Sequence, residues 1–207
     1  MNFEAITQNL VDGQTKKVRE LVQKAVDEGC SAKQILNEGL LAGMNEVGSL
    51  FQEGELFVPE VLMAAKAMHM GMEIIAPLLK EGDHESKGKV ILASVEGDLH
   101  DIGIKLVGMM MAGAGYEIIN LGVDVPADQI VEAVKTHKPK VVGLAALLTT
   151  SMMNMKTAIQ ALKTAGVYDE VKVITGGAPV TDRFAKEIGA YYAADAVYAV
   201  ELANQFC

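Results

Sequence analysis

The chain has 207 residues, half of them hydrophobic, and a formal net charge of −9 at pH 7. This length holds one large domain or two small ones with a well-buried core, and the acidic balance argues against a nucleic-acid surface, which needs clustered Lys and Arg. The two cysteines, Cys30 and Cys207, lie far apart, the start lacks the basic-then-apolar pattern of a secretion signal, and no apolar run approaches a bilayer span. Those features suit a cytoplasmic protein with neither a disulfide framework nor membrane contact.

The first part of the chain reads as helix throughout. A short opening helix is expected over residues 3–10. Residues 15–28 carry Val18, Leu21, Val22, Ala25 and Val26 at the i, i+3, i+4, i+7 spacing of a one-sided helix, which Gly29 stops. Ser31-Ala-Lys-Gln34 resembles a capping box, in which the serine hydroxyl and the glutamine side chain satisfy the unpaired amides of a helix start. That third helix runs to about Phe51 and ends near Gly54. Pro59 fits the first turn of a fourth helix, where its missing N–H is not needed, and Val58, Val61, Leu62, Ala65, Met68, Met72 and Ile75 form its stripe. Four such helices make a small antiparallel bundle. The twelve methionines, clustered at 63–72, 109–111 and 152–155, read as adaptable core filling.

A polar stretch at 81–87 divides the chain, and after it the hydrophobic period changes. Short runs rich in valine and isoleucine, at 89–95, 116–121, 141–147, 171–175 and more weakly 191–194, alternate with helix-like segments. Near-continuous apolar strands are what a sheet buried on both faces demands. Five strands with right-handed crossovers predict an α/β, flavodoxin-like (Rossmann-type) parallel sheet in the order 2-1-3-4-5, with its switch point between the first and third strands. The loops flanking that crevice begin at Glu96 and at about Ala145. The fourth strand ends in Gly176-Gly177, where backbone can approach a ligand closely.

The loop Glu96-Gly-Asp-Leu-His-Asp-Ile-Gly103 is the most informative segment. It puts His100, with Asp98 two residues before it, at the carboxyl end of the first strand, where open α/β sheets bind ligands. An imidazole held by a carboxylate suits metal ligation, because a hydrogen bond to one ring nitrogen fixes the tautomer and raises the basicity of the other. A phosphorylated receiver would need an aspartate where this chain has Ala145 and Ala146, and a flavin-phosphate site would want hydroxyls where it has Glu96 and Asp98. A bare zinc or iron ion would need further ligands. With no second histidine near the crevice, the pattern favours a metal that arrives with its own equatorial ligands.

Asp98-x-His100-x-x-Gly103, then x-x-Leu147, then Gly176-Gly177, resembles the cobalamin-binding signature D-x-H-x-x-G, S-x-L, G-G. The helical half, with Gly43-Met-Asn-Glu-Val-Gly48 and Gly54-Glu-Leu-Phe-Val-Pro59, is similar to the cap bundle of methionine synthase and of methanogen and acetogen corrinoid proteins. The stretches from Leu147 to Ser151 and from Gly176 to Thr181 look closest to the corrinoid proteins of methylamine and quaternary-amine methyltransfer systems. The resemblance implies a four-helix cap domain over residues 1–84 and a cobalamin-binding domain over 88–207. It implies that His100 replaces the cofactor's own base below cobalt, that Asp98 accepts from the far ring nitrogen, and that Ser151 donates to Asp98. Asp101 and Ile102 would lie against the cofactor, and Gly103, Leu147, Thr149, Gly176 and Gly177 would line the slot for its tail. The signature serine is replaced by Ala145, which removes one hydroxyl from that slot. Phe57, Val58 and Leu62, with Met63 nearby, are expected to cover the upper face of the ring, and they read equally as bundle core.

What the resemblance implies for function is a methyl carrier rather than an enzyme on its own. A substrate:corrinoid methyltransferase would load cobalt from a methylated amine, betaine or alcohol. A second methyltransferase would pass the methyl group to tetrahydrofolate or coenzyme M, and a reductive activator is a third expected partner. The linker at 81–87 would serve as hinge for a lid that swings away. The alternative is a cobalamin-dependent sensor or regulator, whose basic DNA-binding module and bundle tryptophan this chain lacks. The small subunit of an adenosylcobalamin mutase would share the histidine motif but not the bundle.

Overall fold

A computed structural model describes residues 3–79 and 86–207, which divide into two compact units, Met1–Ser86 with Gly113–Gly115, and Lys87–Ala112 with Tyr116–Cys207. In the first, α1 (Glu4–Val11), α2 (Thr15–Asp27) and α5 (Val58–Ile75) flank a third rod made of α3 (Ala32–Gln34), a π-helical stretch (Ile35–Leu41) and α4 (Ala42–Gln52). The expected third helix is thus continuous but widens into i→i+5 bonding over its most buried part, where Ile35, Leu36 and Leu40 face the core. Gly39 and Gly43 lie where a side-chain carbon would press on Ile6 and Leu10, so the small residues let α1 close onto this rod. The Ser31 hydroxyl accepts from the Gln34 N–H at 3.2 Å, but the glutamine side chain bonds that hydroxyl rather than the Ser31 amide. Only half of the expected capping box forms.

Although no uninterrupted apolar run approaches a bilayer span, Val58–Leu78 as a whole reaches that length and mean hydropathy. Val, Leu, Ile, Met and Ala raise its mean hydropathy although Glu60, Lys66 and Glu73 interrupt any apolar run. Within its unit it is the core helix, packed on α2 with Val61, Ala64 and Ile75 buried. The methionine clusters divide: Met68, Met110, Met111 and Met155 fill core, while Met63, Met109 and Met153 are exposed. The linker expected as a hinge falls largely on residues 80–85, outside the described residues.

The second unit is a five-stranded parallel sheet in the order β2-β1-β3-β4-β5, as the strand pattern requires. The strands are β1 (Lys89–Val95), β2 (Glu117–Val125), β3 (Val141–Ala145), β4 (Lys172–Gly176) and β5 (Tyr191–Tyr192). The crossovers are α6 (Ile102–Gly113), α7 (Ala127–His137), α8 (Thr149–Thr164) and α9 (Asp182–Ile188), with α10 (Ala196–Phe206) closing the chain. Ile91, Val142, Leu144 and Val173 bury their side chains in one continuous core with Ile130 of α7 and Met155 and Ile159 of α8.

Two strand ends differ from expectation, and both differences matter at the site. β3 stops at Ala145 instead of Leu147, because the Leu147 N–H leaves the sheet ladder to bond Asp98. β2 runs past Leu121 to Val125 with an irregular register. Between the pairs Leu92↔Asn120 and Val95↔Val125, β1 advances three residues while β2 advances five. Such bulges bend a strand and re-aim its side chains.

Candidate functional site

Everything at the carboxyl edge between β1 and β3 is organised around Asp98, which is fully buried. Among the described residues five donors converge on its carboxylate. The His100 N–H at 3.1 Å and ring Nδ1 at 2.8 Å approach Oδ1, while the Leu147 N–H at 2.6 Å, the Leu148 N–H at 3.3 Å and the Ser151 hydroxyl at 2.6 Å approach Oδ2. Two of these amides and the hydroxyl belong to the start of α8, whose N-cap residue, Leu148, has no side-chain acceptor of its own. Asp98 supplies the negative charge that a helix N-terminus favours.

Burial alone would push the Asp98 pKa up. The hydrogen bonds from Ser151, Leu147 and His100 outweigh it and hold the carboxyl well below the usual carboxylate range. An ionised carboxylate only accepts, so Nδ1 of His100 carries the proton and Nε2 of the neutral ring is the free base. The His100 side chain is 50% exposed. On the same loop Leu99, at 73%, and Ile102, at 75%, are large exposed apolar residues, and Leu147 and Leu148 on the loop after β3 are exposed as well.

The loop that carries the histidine is tied down on several sides. The Ser94 hydroxyl, buried at the end of β1, donates to the His100 carbonyl at 2.8 Å. Asn154 of α8 donates to the Glu96 carbonyl at 2.7 Å. Asp124 accepts from the Gly97 N–H at 2.7 Å and its own N–H donates to the Asp98 carbonyl at 2.9 Å. Sequence reasoning missed Ser94, Leu148, Asp124 and Asn154. A serine inside an apolar strand was a legible signal for the first, and no sequence signal marks the others.

The remaining expected residues separate into three groups. Leu147 and Ser151 join Asp98 and His100 directly, and Gly176 sits beside them through the Ala146 N–H to Gly176 carbonyl bond at 3.2 Å. At Gly177, with φ +119°, a side-chain carbon would lie 1.9 Å from the Ala146 carbonyl oxygen, and at Gly176 it would lie 2.9 Å from that of Ala193. The close approach these glycines permit is thus made first by the chain's own backbone. Gly103 is different, since nothing lies within 4 Å of where its side chain would begin. Thr149 is exposed in the first turn of α8, and Asp101 pairs with Lys105 rather than with the cluster. Phe57, Val58 and Leu62 lie at the start of α5 in the helical unit, where Phe57 is 67% exposed, Val58 is exposed and Leu62 is half-buried.

A family model described as B12 binding domain matches residues 88–201, and a second model of the same description matches residues 3–76. The chain belongs to the B12-binding corrinoid proteins. It is 42% identical over 207 residues to a corrinoid protein of Desulfitobacterium hafniense (strain Y51), covering 98% of this chain and 96% of that one. It is also 42% identical over 211 residues to the dimethylamine corrinoid protein of Methanosarcina barkeri, covering 99% of each. In the solved methanol:cobalamin methyltransferase complex of Methanosarcina barkeri, one chain superimposes with a TM-score of 0.87 at 30% identity, over 98% of this chain and 78% of that one. Cobalamin is accordingly the cofactor of this chain.

The Asp98 geometry makes an acid-stability prediction for the cofactor-free protein. Its folded pKa lies below the unfolded value of about 4, so the stability its charge adds is complete above that value and is lost as pH falls through the folded pKa. Asp98→Asn should destabilise the chain by roughly 1–3 kcal/mol at neutral pH. Urea titrations at a series of pH values should show this difference as flat above about pH 5 and shrinking below about pH 4.

Proposed function

We propose that this chain carries a methyl group on the cobalt of a bound corrinoid, with His100 as the protein's ligand to the metal. The observation that carries the reading is the fully buried Asp98 carboxylate, which accepts from Nδ1 of His100 and leaves Nε2 as the donor. A single imidazole nitrogen can occupy one position of a metal that brings the rest of its ligands with it. The exposed apolar residues Leu99, Ile102, Leu147 and Leu148 on the two loops suit the face of a large, flat macrocycle, and the open space over Gly103 suits its tail. When bound, cobalamin supplies a cobalt centre that takes up and releases the methyl group.

The chain's own residues regulate how strongly His100 donates. Asp98 fixes the imidazole's tautomer and orientation and raises the basicity of Nε2. Ser151 holds the Asp98 oxygen that faces away from the ring, so it acts on His100 only through the carboxylate. A proton entering this group from solvent would weaken the bond to Nδ1 and with it the donation from Nε2.

The partners follow from kinship with methylamine and methanol systems. One methyltransferase loads the chain from a methylated amine, betaine or alcohol, a second unloads it onto tetrahydrofolate or coenzyme M, and a reductive activator restores the cofactor after adventitious oxidation. The chain by itself is a carrier subunit, not a catalyst.

Reconstitution should give about one corrinoid per chain with a histidine-ligated absorption spectrum. His100→Ala should convert the spectrum to that of a water-ligated corrinoid. Asp98→Asn should raise the cobalt(II)/cobalt(I) potential, and Ser151→Ala should raise it less. Identical spectra for the parent and His100→Ala would remove the axial assignment.

A second test concerns the division of labour. The purified, loaded chain should demethylate no methylated amine, betaine or methanol until a cognate methyltransferase is added. Turnover by the isolated chain would contradict the carrier reading.

A further inference from the structure

The backbone under His100 is set by a residue that never touches the imidazole. Asp124 closes a two-bond clasp on the histidine loop, with its Oδ1 accepting from the Gly97 N–H at 2.7 Å and its own N–H donating to the Asp98 carbonyl at 2.9 Å. To do so it adopts φ +53°, a left-handed conformation that L residues other than Asn and Asp rarely take. It lies within the stretch of β2 that breaks register with β1, between Asn120 and Val125. Gly122, also left-handed at φ +91°, is part of the same bulge. A strand irregularity and an unfavourable backbone conformation both serve to bring one carboxylate against one loop amide. Asp124 is otherwise exposed and contributes no buried side chain to the core.

We infer that Asp124 is a positioning residue for metal ligation: it fixes the height and angle at which the loop presents His100, and so sets how strongly Nε2 bonds cobalt. The inference rests on the reading of His100 as the axial ligand and extends it. Asp98 governs the rotation and tautomer of the imidazole, whereas Asp124 governs the backbone from which the imidazole projects. Gly97, held at φ +80°, is the pivot that needs such a restraint, because glycine there has access to more backbone conformations than any other residue. A ligand held on a loop is placed well only when the supporting bonds lock the loop itself. Asn154, which donates to the Glu96 carbonyl one residue earlier at 2.7 Å, restrains the same pivot from the α8 side.

The test uses three variants of the full chain, each reconstituted with cobalamin. Asp124→Gly keeps the left-handed conformation without strain and deletes the acceptor. Asp124→Asn keeps both the conformation and an acceptor oxygen but removes the charge. Asn154→Ala deletes the second restraint. Absorption and paramagnetic resonance spectra give the ratio of histidine-ligated to water-ligated corrinoid, and amide exchange at Gly97 is followed in the cofactor-free protein.

In Asp124→Gly the ratio should move toward water ligation by up to about tenfold, the factor a hydrogen bond to a charged acceptor supports. Gly97 exchange should accelerate, while the unfolding midpoint of the cofactor-free chain changes little. Asp124→Asn should return both readouts close to the parent, and Asn154→Ala should shift ligation in the same direction as Asp124→Gly. A parent that binds cobalamin without histidine ligation defeats the underlying reading. A histidine-ligated parent whose ratio is unchanged in Asp124→Gly overturns the inference alone. An Asp124→Asn shift as large as that of Asp124→Gly also overturns it, since charge rather than the clasp would then be responsible.

Discussion

The Asp98 carboxylate gathers donors from two loops separated by about fifty residues of chain, and the site exists only because it does so. It takes amides and a hydroxyl from the start of α8 on one side and the amide and ring of His100 on the other. A fully buried ion with fewer partners would be strongly destabilising, and with this many it stays ionised. One charged group therefore joins the loops at the switch point, caps a helix that has no cap of its own, and fixes the tautomer of an exposed histidine. Those three consequences cannot be separated by any change that removes the charge.

The sheet makes this possible through strand order. β1 and β3 are neighbours, yet the helices that follow them, α6 and α8, belong to separate crossovers. Their loops part at the carboxyl edge and leave a crevice that a short side chain can span. Glycine enters where backbone must come close: Gly143 accepts the Leu92 side chain against its α-carbon, and Gly177 accepts the Ala146 carbonyl. The result is a hydrogen-bonded edge that carries a half-exposed imidazole, with the exposed apolar residues Leu99, Ile102, Leu147 and Leu148 on the same two loops.

The sheet order, the helical first unit and the histidine with its carboxylate were legible in the sequence, because hydrophobic period and strand-end motifs are local signals. Ser151 was reached only by resemblance, since nothing local connects residue 151 to residue 98. What stayed hidden was backbone geometry that arises when distant segments pair. β3 ends two residues early because the Leu147 amide is drawn to Asp98, and β2 bulges because it must advance five residues beside three of β1. Asp124 in Gly-Val-Asp-Val lies beyond the expected end of the second strand at Leu121, and only the bulged extension of that strand brings it to Gly97. The π-helical stretch over Ile35–Leu41 is hidden for the same reason, as its residues fit an ordinary helix by pattern. The paired glycines were read as room for a ligand, whereas their nearest neighbours are carbonyl groups of the protein.

If His100 is the protein's ligand to the metal, the nitrogen below cobalt belongs to the protein and not to the cofactor. Paramagnetic resonance of the cobalt(II) form reads that nitrogen directly through its nuclear splitting. In protein produced with 15N-labelled histidine and loaded with unlabelled cobalamin, the triplet splitting of a 14N ligand should become the doublet of 15N. A triplet that survives labelling would assign the ligand to the cofactor's own base, and a spectrum without nitrogen splitting would assign it to water. Either result would contradict the account.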